Sequence, residues 1–178
     1  MPSKIIFGFG SLINPDSLRS TVVDATDIKP AYVKGFFREF NLWNPIGFKN
    51  ISPELTGIPY CALDIKRISD PKARVNGVAF AVNEAQLKKL RRRERGYKLI
   101  RSVAYDFNTD EKFGECYLFS ACKNDGKYDF SSSSQTKYLG TCIKGAKKFG
   151  NEFYREFLNT THIGDKTLSE VLELLNAS

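Results

Sequence analysis

The chain has 178 residues, 42% hydrophobic and 13% aromatic, a composition that excludes a disordered polymer and suits a single domain over residues 1–178 with substantial β-structure. Its formal charge of +7, from 27 basic against 20 acidic side chains, is concentrated at Lys88, Lys89, Arg91, Arg92, Arg93 and Arg95. No apolar run approaches the roughly 20 residues of a membrane-spanning helix, and the N-terminus lacks the order of a secretory signal, so no membrane partner and a cytoplasmic location are expected.

Lys4 to Gly8 is a short apolar run stopped by glycine, which predicts a buried strand feeding a tight turn through Phe9, Gly10 and Ser11. Asn14-Pro15-Asp16 predicts the start of a short helix through Leu18, with proline early and an acid in the first turn. From Ala31 to Trp43 the β-formers predict one long bent strand, with Gly35 as a bulge or close backbone contact. Residues 44 to 59, with three prolines and two glycines, read as a surface loop able to overhang a pocket. Strands follow near Tyr60 to Ile65 and Val75 to Val82.

Glu84 to Arg95 has helix formers throughout, and Gly96 is placed to cap its end. Leu87 and Leu90 define the apolar stripe of that helix, and the next step along it reaches Glu94, so a carboxylate continues the inner face. Tyr97 to Phe107 and Glu115 to Ala121 resume β character, and the polar stretch Lys123 to Ser134 reads as a mobile loop. Tyr138, Cys142, Ala146 and Phe149 recur at helical spacing, and Phe153 to Leu158 continues the pattern. Thr167 to Leu175 is an amphipathic closing helix with Leu168, Val171, Leu172 and Leu175 inward.

Among groups able to do chemistry, the turn Phe7-Gly8-Phe9-Gly10-Ser11-Leu12 can leave backbone N–H groups free for a carboxylate or oxyanion, although the same pattern serves tight strand packing. Glu94 on an inner face is a proton acceptor if desolvation raises its pKa; Arg91, Arg93 or Arg95 beside it would pull it down, and a helix-end salt bridge is the alternative. His162 is the only histidine, which leaves no multi-histidine metal site, and it is read as a surface or helix-end residue. Cys61, Cys116, Cys122 and Cys142 form no C-x-x-C pair, so neither disulfides nor structural zinc are expected; a pairing of His162 with one of them has no local signature. The basic cluster lacks an aromatic-studded binding motif and reads as a solvated helix face, which argues against nucleic acid and leaves a mild attraction for small anions.

Phe7-Gly8-Phe9-Gly10-Ser11-Leu12-Ile13, Tyr32-Val33-Lys34-Gly35-Phe36 with Arg38, Val75-Asn76-Gly77-Val78-Ala79-Phe80 and Arg93-Glu94-Arg95-Gly96-Tyr97 together resemble, in order and spacing, the γ-glutamylcyclotransferase superfamily, nearest its ChaC-like members. Tyr138-Leu139, Gly145-Ala146 and Gly150 are similar to its C-terminal helical part, so the resemblance spans most of the chain. It implies an α+β fold around a small mixed β-barrel or strongly curved sheet with flanking helices, and no metal or organic cofactor. It also implies a small-molecule γ-glutamyl substrate, whose α-amine attacks its own γ-carbonyl to release 5-oxoproline. Glu94 would be the acid/base, Phe9, Gly10, Ser11, Leu12 and Tyr97 would bind substrate, and the backbone around Gly10, Ser11 and Leu12 would hold its α-carboxylate. The chain departs from the family at Phe9, where tyrosine is usual, at Asn14, where many members have tryptophan, and at the single Gly96 before Tyr97. Glutathione, other γ-glutamyl peptides and γ-glutamylamines therefore all stand as substrate candidates. A noncatalytic module whose basic helix meets nucleic acid or an acidic partner is the reading from a different class.

Overall fold

The computed structural model describes residues 3–177 except 26, 46, 48–52 and 122–124, so Cys122 lies outside the described residues. Five strands close a barrel in the order β1-β5-β2-β6-β7: β1 (Lys4–Gly8), β2 (Lys29–Lys34), β5 (Arg74–Val82), β6 (Tyr97–Asp106) and β7 (Lys112–Ala121). The seam is the parallel pairing of β1 with β7 at Ile6 and Tyr117; the other pairings are antiparallel. A second sheet, in the order β4-β3-β8-β9, contains β3 (Phe36–Asn44), β4 (Tyr60–Arg67), β8 (Thr161–Ile163) and β9 (Lys166–Thr167). Among the described residues five α-helices complete the fold: α1 (Pro15–Arg19), α2 (Glu84–Arg93), α3 (Ser133–Lys147), α4 (Asn151–Asn159) and α5 (Leu168–Asn176). The architecture is an α+β barrel with flanking helices, as the family resemblance implies.

The expected long strand from Ala31 to Trp43 is in fact two. Gly35 sits at φ 72°, a left-handed conformation that glycine adopts without penalty, and the chain turns there from the barrel into the second sheet. A bulge in β3 between Phe40 and Leu42 bends it further. The short strands β8 and β9, too brief to carry a period, were not foreseen, and β8 places His162 half-buried against the Phe37 ring at 4.3 Å rather than at a helix end. Leu175 is exposed on α5, whose inward side is Leu168 and Val171. Of the stretch Lys123 to Ser134, expected to be a mobile loop, residues 123 and 124 lie outside the described set, and its end belongs to the start of α3. The Ser132 side chain caps α3 by accepting from Gln135, and Ser132 and Ser134 are buried.

β4 is an edge strand, and side chains satisfy its backbone at the edge. The Gln135 amide accepts from Cys61 N–H at 2.8 Å and donates to Cys61 C=O at 3.0 Å. One step along, the Tyr138 hydroxyl accepts from Leu63 N–H at 3.1 Å and the Tyr97 hydroxyl donates to Leu63 C=O at 2.7 Å. Helix α3 and strand β6 are thereby fixed to the same residue of β4. Among the described residues, no helix is long and apolar enough to cross a membrane.

Arg38 on β3 is fully buried and joins four parts of the chain. Its guanidinium donates to the Phe9 carbonyl at 3.1 Å, to the Asn76 carbonyl and side chain at 2.7 and 2.9 Å, to the Phe157 carbonyl at 3.2 Å and to Thr160 Oγ1 at 2.8 Å. Burial lowers its pKa to about 9, which still leaves a cation at neutral pH. Removing it would strand several buried acceptors, so Arg38→Ala is expected to lose about 3 kcal/mol or more of stability. Urea denaturation checks this, and a loss below about 1 kcal/mol, the worth of one ordinary hydrogen bond, would count against the role.

Candidate active site

The end of β1, the start of β6 and the end of β7 meet at one end of the barrel, since β7 runs parallel to β1 and antiparallel to β6. β4 lies over that end: Ser120 Oγ donates to the Ile65 carbonyl and Ala121 N–H to the Asp64 carboxylate. Beyond Gly8 the chain forms a 3-10 turn over Ser11–Ile13, whose first internal bond runs from Ile13 N–H to the Gly10 carbonyl at 3.0 Å. The N–H groups of Ser11 and Leu12 precede that bond and have no partner within the turn. Helix α3 packs directly on this segment: a Cβ added at Gly145 would fall 2.5 Å from Asn14 N.

Asn14 is buried, caps α1 by accepting from Asp16 N–H at 3.0 Å, and donates to the Thr141 carbonyl at 3.1 Å. Its place is structural, under the turn, and it does not line the cavity.

Helix α2 begins with a reciprocal cap, Asn83 accepting from Gln86 N–H and Gln86 from Asn83 N–H. It ends at Arg93, two residues short of the expected Arg95, and Glu94 is its C-cap with φ −86° and ψ 47°. Gly96 follows at φ 92°, reversing the chain into β6. The cap conformation, more than continuation of the helical stripe, turns Glu94 inward. Its basic neighbours diverge: Arg91, Arg92 and Arg95 are exposed, with Lys88 and Lys89 on the same solvated face, while Arg93 Nε lies 3.2 Å from Glu94 Oε1.

Phe9, Gly10, Ser11, Leu12, Glu94 and Tyr97, all the residues singled out from sequence for chemistry or binding, line one cavity. Phe7, Leu63, Phe119 and Tyr138 complete its wall; Phe7 and Tyr138 stand within the quoted motifs and Leu63 and Phe119 within expected strands, and nothing along the chain assigns any of them to the site. The cavity is about 20 Å³, room for roughly one water, so a larger guest must displace its lining. A Cβ at Gly10 would stand 2.9 Å from the Tyr138 hydroxyl.

Burial raises the Glu94 pKa, and the Arg93 guanidinium opposes the rise without cancelling it. The carbonyls at the C-terminal end of α2 also disfavour a carboxylate there. Burial holds the Tyr97 and Tyr138 phenols well above their usual range, so both stay protonated. The Cys61, Cys116 and Cys142 thiols are pushed up to about 12, also by burial, and no cysteine lines either described cavity. The arrangement thus offers one carboxylate proton acceptor beside hydrogen-bond donors. Among the described residues, no group of three His, Cys, Asp or Glu is placed to hold a metal.

A larger surface cavity, about 390 Å³, lies between the starts of β3 and β5, the end of α4 and β8. It contains His162 and Phe37 and the Arg74–Glu156 ion pair at 2.5 Å, and none of the predicted set. Volume alone would favour it, but the smaller cavity holds the convergent carboxylate and turn.

No protein-family model matches the chain, and no curated protein sequence matches it. Solved structures do. A γ-glutamyl cyclotransferase superposes with a TM-score of 0.69 at 15% identity, covering 99% of this chain and 100% of that one. An uncharacterized protein from Homo sapiens gives 0.68 at 18% identity, with both chains covered completely. A yeast γ-glutamyl cyclotransferase specific to glutathione gives 0.62 at 14% identity, covering 99% and 97%. The chain has the γ-glutamyl cyclotransferase fold.

The raised pKa of Glu94 has a consequence for stability. A carboxyl whose folded pKa lies above its unfolded value favours the protonated folded state, so its charge weakens the fold at pH above that folded pKa, and the penalty fades as pH falls through it. Glu94→Gln is therefore expected to unfold at higher urea concentration than the wild type at pH 8. The gap should close as the pH is lowered through the folded pKa; a variant less stable than wild type at pH 8 would contradict the buried-charge assignment.

Proposed function

We propose that this chain is a γ-glutamyl cyclotransferase of ChaC-like type that releases 5-oxoproline from a γ-glutamyl peptide or amine. The observation that carries the reading is the meeting, in one cavity, of a carboxylate with a raised pKa and the 3-10 turn whose first N–H groups lack internal partners. The fold shared with two structures described as γ-glutamyl cyclotransferases supports it.

Nucleophile and electrophile belong to one molecule, so holding the folded-back conformer supplies much of the rate through proximity. The turn amides of Ser11 and Leu12 bind the α-carboxylate. Glu94 takes a proton from the α-ammonium, and the freed amine attacks the γ-carbonyl carbon, closing a five-membered ring as negative charge develops on the carbonyl oxygen. Glu94 then gives its proton to the nitrogen of the scissile amide, and that C–N bond breaks. The excess proton of the ring nitrogen leaves with the expelled amine as its ammonium. A raised pKa suits a group that both accepts and returns a proton. The walls of Phe9, Leu63 and Phe119 exclude water, which would otherwise hydrate both charges.

The test is 5-oxoproline release from glutathione, γ-glutamyl dipeptides and γ-glutamylamines, and the preferred compound names the substrate class. Glu94→Gln keeps the shape without the base and is expected to lower kcat about a hundred-fold to ten-thousand-fold. No release from any compound would overturn the reading, as would a fully active Glu94→Gln. Gly10→Val would drive the Tyr138 hydroxyl from the turn, and kcat/KM should fall about a hundred-fold. Unchanged constants in that variant would remove the turn from the binding site.

A further inference from the structure

Arg93 ends α2 beside Glu94, is only 17% exposed at its side chain, and spends its whole guanidinium on protein acceptors. Nε faces Glu94 Oε1 at 3.2 Å. Nη1 donates to the Ser17 carbonyl at 2.5 Å and Thr21 Oγ1 at 3.0 Å, and Nη2 to Ser11 Oγ at 3.1 Å and Ser17 Oγ at 2.8 Å. The five N–H donors of an arginine thus meet five acceptors, four of them on the segment that contains the 3-10 turn and α1. This pattern needs a rigid planar fork; lysine offers three donors from one point and cannot span it.

We propose that Arg93 is a positioning residue that holds the Glu94 carboxylate and the Ser11–Leu12 turn at a fixed separation by dividing its guanidinium between them. The proposal rests on the cyclotransferase reading for its effect on turnover, but not for its effect on Glu94 itself. Two chain segments that no backbone pairing joins, the end of α2 and the turn after β1, otherwise have to be held in register by the apolar wall alone. Because Ser11 Oγ accepts from Arg93, its own hydrogen remains to donate, and Ser11 lines the cavity. Arg93 therefore sets both the place of the base and the direction of one donor toward the substrate.

The groups that face Glu94 are Arg93 from α2, the Tyr97 phenol from β6 and the Tyr60 phenol from β4; Cys142 of α3 faces Arg93. The phenols are raised, Tyr60 to about 12, and the Cys142 thiol to about 12, so Arg93 is the charged one among them at neutral pH. Its removal and its replacement by another cation should therefore act differently on Glu94.

The experiment is a carbon-13 NMR titration of the Glu94 carboxyl, with 5-oxoproline release measured in parallel, on wild type, Arg93→Gln and Arg93→Lys. In Arg93→Gln the Glu94 midpoint is expected to rise, because the group that opposes desolvation is gone. In Arg93→Lys the midpoint is expected to stay close to wild type while kcat falls about ten-fold or more at every pH, since charge is kept and geometry lost. An unmoved midpoint in Arg93→Gln, or wild-type kcat in Arg93→Lys, would overturn the proposal. If Arg93→Gln does not fold, Ser17→Ala combined with Thr21→Val keeps both charges and removes two of the anchoring acceptors. A fall in kcat with an unmoved midpoint is then expected, and wild-type kcat overturns it. Absence of 5-oxoproline from the wild type would strike the cyclotransferase reading alone, leaving the midpoint shift to decide whether Arg93 governs Glu94.

Discussion

A guanidinium with no solvent around it, that of Arg38, ties the glycine turn, β5 and α4 to the second sheet. A cation so deep persists only where acceptors surround it, and here they are mostly backbone carbonyls, which fixes main chain rather than side chains. Two elements that shape the candidate site depend on this group directly or through one pairing: Phe9 belongs to the turn, and Asn76 lies on β5, which pairs with β1. Its position follows from Gly35, since the left-handed step there takes the chain out of the barrel and sends β3 across it.

The candidate site arises where that second sheet meets the open end of the barrel. Leu63 is held from two sides, by Tyr97 of β6 and Tyr138 of α3, and the same two tyrosines wall the cavity. Packing and site are therefore made by the same contacts. The resulting space is small and its carboxylate buried, which holds the Glu94 pKa above the usual range, and a substrate has to enter by displacing the wall. Three basic side chains next in sequence to Glu94 or close to it point to solvent, and a single one, Arg93, moderates the carboxylate.

Much of the fold was legible because local signals agreed with tertiary structure. The apolar run before Gly8, the Asn14-Pro15 helix start and the helix from Glu84 all lie where the chain places them, and the ordered motifs pointed to the barrel fold. Gly35 stands out in the sequence but reads as a bulge or a close backbone contact, because sequence shows a glycine's freedom and not which sheet lies on either side. β8 and β9 have too few residues for any period. Glu94 was picked from the helical stripe, yet its inward aim comes from the cap conformation that precedes Gly96. Arg38 was quoted only as part of a motif and Arg93 as one of several cations; a run of basic residues gives charge without burial, and only the folded chain separates the buried fork from its solvated neighbours.

The proposed function requires that Glu94 and the turn after β1 form one binding site for a γ-glutamyl group. A crystal structure with 5-oxoproline bound tests this most directly. The product is expected in the cavity between them, its carboxylate on the Ser11 and Leu12 amides and its ring nitrogen toward Glu94, with the lining at Leu63 and Tyr97 displaced. Product bound instead in the larger cavity beside His162, with the Glu94 cavity still closed, would contradict it.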